Sequence, residues 1–247
     1  MIGLAPMRCK ALTSTKLSPI ESAFLRSRLD GVSAVIRDKY KELPFAFETG
    51  SIDTLIFPGA GGVDPLVEEL CSSMPSSKII DWSEHRGTIF TAAYDGEAVG
   101  GAIANLLLEN EKTIGHGKIH CIGISVGAFC ANAAATAVYQ RLGKTVCVRL
   151  TLLDPFCGRG VFGGSYGKKH FGKFATTALQ ILNSDDPVPT TNEPLPFCYC
   201  IDVTRASERG TFVPLPGDSM HSWPVAFFAR HFQEPSGPLQ RGMVVKV

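Results

Sequence analysis

Short apolar runs alternating with helix-like stretches constrain this chain more than any other feature. The runs 54–57, 78–82, 118–122, 146–153 and 197–203 read as strands. They are predominantly apolar rather than apolar at every second position, as strands covered on both faces tend to be. Between them lie helical patterns. Ser18-Pro-Ile-Glu21 is a capping box with proline at the first helical position. It opens a helix expected over 19–43, with Ile20, Phe24, Leu25, Leu29, Val32 and Ile36 as its apolar stripe. Further helices are expected over 65–72, 91–109, the Ala-rich 125–142, and 222–231. Strand–helix alternation predicts an α/β fold, a mostly parallel central sheet with helices on both faces. Residues 1–50 are expected to form an N-terminal tail and helix, and 51–247 the main domain.

Composition narrows the function classes. With 247 residues, 45% of them hydrophobic and 19% charged, the chain can bury a large core. Its net charge is +1, from 24 Lys+Arg against 23 Asp+Glu, which argues against a general nucleic-acid binder. No apolar run approaches the roughly 20 residues a membrane helix needs. Most of the eight cysteines sit inside apolar runs and form no CxxC pair, so reduced, buried thiols are expected rather than a zinc ribbon. The N-terminus lacks the continuous apolar core of a secretory signal, which favours an intracellular compartment. Residues 1–20 carry Arg8, Lys10 and Lys16 with several Ser/Thr, a composition shared by organelle transit peptides and flexible tails. No cofactor fingerprint is complete. Counting GxGxxG from Gly59 puts Asp64 where the last glycine belongs, and Gly163-Gly-Ser-Tyr-Gly-Lys-Lys169 has Lys169 at the P-loop Ser/Thr position. His116 and His120 have HxxxH spacing without the glutamate of a zinc protease helix, so no metal is expected either.

The strongest chemical signal is Gly123-Ile-Ser-Val-Gly127, where an apolar strand gives way to the Ala-rich helix. That is the context of a nucleophile elbow, in which a sharp turn lifts the serine hydroxyl above the sheet edge. The bland alternative is a serine N-cap with tight-turn glycines. A serine hydroxyl needs a base. His221 is the candidate, in a loop between the last strand and the last helix. His170 and His231 suit solvated positions better. The imidazole needs an acid to orient it. Asp154 at the end of the fourth run and Asp186 in Asn183-Ser-Asp-Asp-Pro-Val188 are the two choices; Asp202 and Asp218 rank below them. Backbone N–H groups of Ala60, in Pro58-Gly-Ala-Gly-Gly62, and of Val126 are the candidate oxyanion donors. Arg159, Lys168, Lys169 and Lys173, among five glycines, read as a mobile loop or as a flap over the cleft.

Together these pieces resemble the pancreatic-lipase-like branch of the α/β-hydrolases, over about residues 52–231. Lys78-Ile-Ile-Asp-Trp82 and Ala98-Val-Gly-Gly-Ala-Ile-Ala104 look like that family's Val-Asp-Trp strand and Val-Gly helix. Lys118-Ile-His-Cys-Ile-Gly-Ile-Ser-Val-Gly-Ala128 looks like its elbow, and Val148-Arg-Leu-Thr-Leu-Leu-Asp-Pro155 like its aspartate strand. His221 followed by Ala226 and Phe228 looks like its histidine motif. The chain departs from the family at Ile124, where histidine is usual, and at Pro58-Gly59, where His-Gly is usual. Asp185-Asp-Pro-Val-Pro189 is similar to the acid motif of class 3 lipases, which would move the acid to Asp186. The resemblance implies an α/β-hydrolase fold, Ser125 as nucleophile, Asp154 as acid and His221 as base. It implies hydrolysis of a small-molecule or lipid ester, with transient lipid-surface contact and no cofactor. The competing expectations are an inactive binding protein of the same fold and a thioesterase or acyltransferase on the same triad.

Overall fold

The computed structural model describes residues 19–40, 53–88, 90–109, 117–160, 163–235 and 237–247. Seven strands form one sheet: β1 (Thr54–Phe57), β2 (Ser77–Ile79), β3 (Lys118–Ile124), β4 (Cys147–Leu153), β5 (Thr177–Leu182), β6 (Tyr199–Asp202) and β7 (Val244–Lys246). The spatial order is β2-β1-β3-β4-β5-β6-β7, and every neighbouring pair is parallel. The helices are α1 (Pro19–Tyr40), α2 (Pro65–Ser73), α3 (Ala92–Glu109), α4 (Gly127–Leu142), α5 (Tyr166–His170) and α6 (Trp223–Arg230).

Alternate strand residues feed two cores, one on each face. On one face Leu55, Phe57, Cys121, Leu150 and Leu152 pack with Val99 and Ile103 of α3 and Ala134 and Val138 of α4. Ile36 and Tyr40 bring α1 into the same core, so the N-terminal helix is continuous with the main domain's packing. On the other face Ile56, Ile122, Ile181 and Ile201 pack with Leu66 and Leu70 of α2 and Val225 and Phe228 of α6. The expected α/β architecture is therefore present, with helices on both faces.

Two strands lie outside the sequence expectation. The β5 run Thr-Ala-Leu-Gln-Ile-Leu carries a polar residue in its middle, and β7 spans only three residues. The run expected as the fifth strand is the sixth, β6. The run expected over 78–82 pairs only as Ser77–Ile79, because Asp81 turns to accept hydrogen bonds from the N–H and hydroxyl of Ser83. The end of the expected first helix, 41–43, and the N-terminal tail, 1–18, lie outside the described residues.

Within the stretch expected as a mobile loop or flap, Arg159 and Phe171 are packed, while Lys169 and Lys173 are exposed. Arg159 is buried, donates to Glu97 at 2.7 Å and sits between the rings of Tyr94 and Tyr166. Phe171 is fully buried beneath the stretch. The Arg159–Glu97 pair is held by a desolvated charge partner, and removing one side would strand the other.

Strand order determines where a ligand can sit. From β1 the chain crosses to β2 on one side, then returns to β3 on the other. In open parallel sheets the crevice at such a reversal, outside the carboxyl ends of the strands, is the binding position. Here that crevice is bounded by the residues after β1, starting at Pro58, and after β3, starting at Ser125.

Candidate active site at the carboxyl edge of the sheet

Ser125 follows β3 directly and has φ of +50°. A non-glycine residue in the left-handed region costs about 1–2 kcal/mol, so the surroundings must impose it. Its N–H donates to the Leu153 carbonyl (3.0 Å), and its carbonyl accepts from the Phe156 N–H (3.1 Å). The flanking glycines are required by contact. A Cβ on Gly127 would lie 2.2 Å from the Phe57 carbonyl oxygen, and one on Gly123 would lie 2.6 Å from Ala128 Cα. The start of α4 thus rests on the end of β1, and the serine stands at the turn between strand and helix.

The loop after β1 comes to the same place. A Cβ placed on Gly59 would lie 3.2 Å from Ser125 Cβ. The Trp82 indole N–H donates to the Pro58 carbonyl (2.9 Å), and Arg86 donates to the Gly59 carbonyl (3.1 Å). The Gly62 N–H closes a turn onto that same carbonyl (3.1 Å). The Gly59 carbonyl and the Ala60 N–H belong to one trans peptide and point in opposite directions. Among the described residues neither the Ala60 N–H nor the Val126 N–H donates to another protein group. Both remain free to meet an anion.

Asp154 follows β4, between the two residues that hold Ser125's backbone. It is 1% exposed, with φ of +45°; aspartate tolerates that region better than most residues. Its Oδ1 accepts from the Asn183 N–H (2.9 Å) and its Oδ2 lies 2.9 Å from His221 Nδ1. Asp186, in the loop after β5, is 3% exposed and places its own Oδ2 2.7 Å from the same Nδ1. The two acids that the sequence offered as alternatives therefore meet at one nitrogen. His221 lies in the 3-10 turn Met220–Ser222 that leads into α6. Its Nε2 is buried and has no hydrogen-bond partner, so the Ser125 hydroxyl is not bonded to it.

Electrostatics follow from this burial. Desolvation pushes the Asp154 carboxyl up from 3.8 to about 7, against the lowering pull of His221. Burial alone would depress His221, but Asp154 and Asp186 outweigh it and raise its pKa above the usual histidine value. The cluster thus retains a proton that separated groups would release.

The remaining candidates have other partners. His120 is a core histidine bonded to Thr151 Oγ1 at 2.8 Å, and burial lowers its pKa to about 3. His170 and His231 lie against aromatic rings on α5 and at the end of α6. Asp202 accepts from the Thr204 N–H, and exposed Asp218 from the Ser219 N–H. His116 and Cys9 lie outside the described residues. Among the described cysteines, Cys121, Cys157 and Cys200 are buried thiols whose pKa values burial pushes up to about 12. Arg86 and Asn183 were not singled out from sequence, since their roles arise from contacts made across the fold. Asp154, Asp186 and His221 are the one group among the described residues whose ligand atoms lie close enough, within 4.8 Å, to hold a metal.

No helix among the described residues is long and apolar enough to cross a membrane. In comparisons with known proteins, the chain matches no family model, no curated protein and no solved structure.

Proposed function

We propose that this chain is a serine hydrolase of the α/β-hydrolase type that cleaves carboxylic esters. The observation that carries the proposal is His221: its Nδ1 is held by buried carboxylate and its buried Nε2 has no hydrogen-bond partner, at the sheet edge where Ser125 occupies a strained turn. In the proposed reaction Ser125 Oγ attacks the ester carbonyl carbon while its proton passes to His221 Nε2. The Ala60 and Val126 N–H groups receive the developing oxyanion. Collapse breaks the bond to the alkoxide, which leaves with the proton from Nε2. Water then repeats the sequence on the acyl-enzyme, giving the free acid and restoring Ser125. Asp154 holds the imidazole in the tautomer whose Nε2 can accept.

A fluorophosphonate probe, read by intact mass spectrometry, tests this. Labelling at Ser125 that is lost in Ser125→Ala and in His221→Ala is the expected result. Absence of labelling in folded wild-type protein would overturn the proposal. The missing Ser125–His221 hydrogen bond favours a second reading, a binding module on this fold without turnover, and that same result would support it.

A further inference from the structure

Resting on the serine-hydrolase reading, we infer that His221 is served by two carboxylates, with Asp186 a second positioning acid that can substitute for Asp154. The one ring nitrogen Nδ1 faces two carboxylate oxygens, at 2.9 and 2.7 Å. The acids come from different elements, the ends of β4 and β5, and each has its own anchors. Asp154 Oδ1 accepts from the Asn183 N–H at 2.9 Å. Asp186 Oδ1 accepts from the Val188 N–H at 3.2 Å, and its Oδ2 from the Thr191 hydroxyl at 2.8 Å. Neither carboxylate relies on the other for its position, so either can hold the ring alone.

Two buried carboxylates side by side repel unless a cation lies between them. The imidazolium formed as Ser125 loses its proton is that cation. The arrangement therefore stabilises the state reached during acyl transfer more than the neutral ground state, which is what accelerates a step. Among the described residues, no charged group other than Asp154 and Asp186 acts on the ring. Asp185 is paired with Arg209 at 2.6 Å, and Asp218 in His221's own loop is exposed and bonded to the Ser219 N–H. The plainer alternative is that Asp186 only shapes its loop, through the turn it closes onto Val188.

The experiment measures two quantities in wild type, Asp154→Asn, Asp186→Asn, the double variant and His221→Ala. One is the fluorophosphonate labelling rate; the other is the titration midpoint of His221 by NMR. Where one aspartate serves the histidine, its replacement by asparagine costs about 10⁴-fold. With two, Asp154→Asn is expected to keep a rate within about a hundredfold of wild type, while the double variant falls to the His221→Ala level. Asp186→Asn is expected to lower the His221 midpoint, which loss of a loop contact alone would not do. Asp154→Asn falling to the His221→Ala level would overturn the inference and leave the hydrolase reading standing. So would an unmoved midpoint in Asp186→Asn. If Asp186→Asn does not fold, the comparison of Asp154→Asn with His221→Ala still decides. A wild type that is never labelled overturns the hydrolase reading, and with it the catalytic role of Asp186, whatever the midpoint does.

Discussion

Ser125 holds a backbone conformation that serine does not choose. Its φ of +50° is natural for glycine, and the two bonds to Leu153 and Phe156 impose it. The strain has a measurable consequence. Ser125→Ala removes the hydroxyl and retains the strain, whereas Ser125→Gly removes both. The glycine variant is expected to be more stable than the alanine variant by about 1 kcal/mol, a rise of roughly 2–4 °C in melting temperature at this size. Calorimetry on the two variants checks this, and equal melting temperatures would contradict it. Ser125 itself was legible because the glycine spacing encodes the close approach of α4 to β1. Arg86 was not, because its partner, the Gly59 carbonyl, lies 27 residues away in sequence. By holding that peptide, Arg86 fixes where the Ala60 N–H points. On the proposed ester-hydrolase reading, with the Ala60 N–H as oxyanion donor, Arg86→Met is expected to lower kcat about tenfold with little change in KM, since a misaligned donor weakens the transition state more than the substrate complex. Steady-state kinetics on a simple ester reads this directly.

At the scale of elements, what the sequence showed and hid divides by polarity. Predominantly apolar runs such as β3 and β4 announce themselves as strands, although His120 and Arg149 lie within them. The β5 strand does not, because Gln180 sits in its middle while being fully buried. The structure accommodates that amide by pairing both ends: its Oε1 accepts from the Leu195 N–H at 2.8 Å and its Nε2 donates to the Glu193 carbonyl at 3.1 Å. Gln180 thus ties the strand to the far end of the loop that carries Asp186. Missing β5 also hid why Asp154 and Asp186 meet, since only a strand ending at Leu182 brings residue 186 to the same edge as Asp154. Gln180→Leu would leave the buried Leu195 N–H unpaired and remove the donor to the Glu193 carbonyl. It is expected to cost about 2 kcal/mol, read as a lower urea midpoint with an unchanged slope. The glycine-rich stretch after β4 misled in the other direction. Its lysines and glycines suggest mobility, but Arg159 finds Glu97 and two tyrosine rings that lie far off in sequence.

For the whole molecule, alternation of strands and helices foretold the layers but not the order of strands, and it is the order that puts the crevice between β1 and β3. The charges buried at the carboxyl edge of the sheet also shape how stability responds to pH. Asp154 rises from 3.8 unfolded to about 7 folded, and His221 is raised above its unfolded value. Across that window the folded state binds more protons than the unfolded chain, so these groups lose stability as pH rises. His120 acts oppositely: depressed from 6.5 to about 3, it loses stability as pH falls below 6.5. Below that point the Asp154 and His120 contributions oppose each other. Just above it Asp154 and His221, with buried Glu97 raised in the same sense, carry the excess protons, because the buried thiols bind theirs only at higher pH. Stability is therefore expected to fall as pH rises from 6.5 through about 7, at up to about 1.4 kcal/mol per pH unit for each excess proton. Asp154→Asn removes one carboxylate from the cluster and should flatten that slope while leaving the His120 limb below pH 6.5 in place. Melting curves for the two proteins across pH 4–9 make the comparison; a slope above pH 6.5 that persists unchanged in Asp154→Asn would mean the excess proton is held elsewhere.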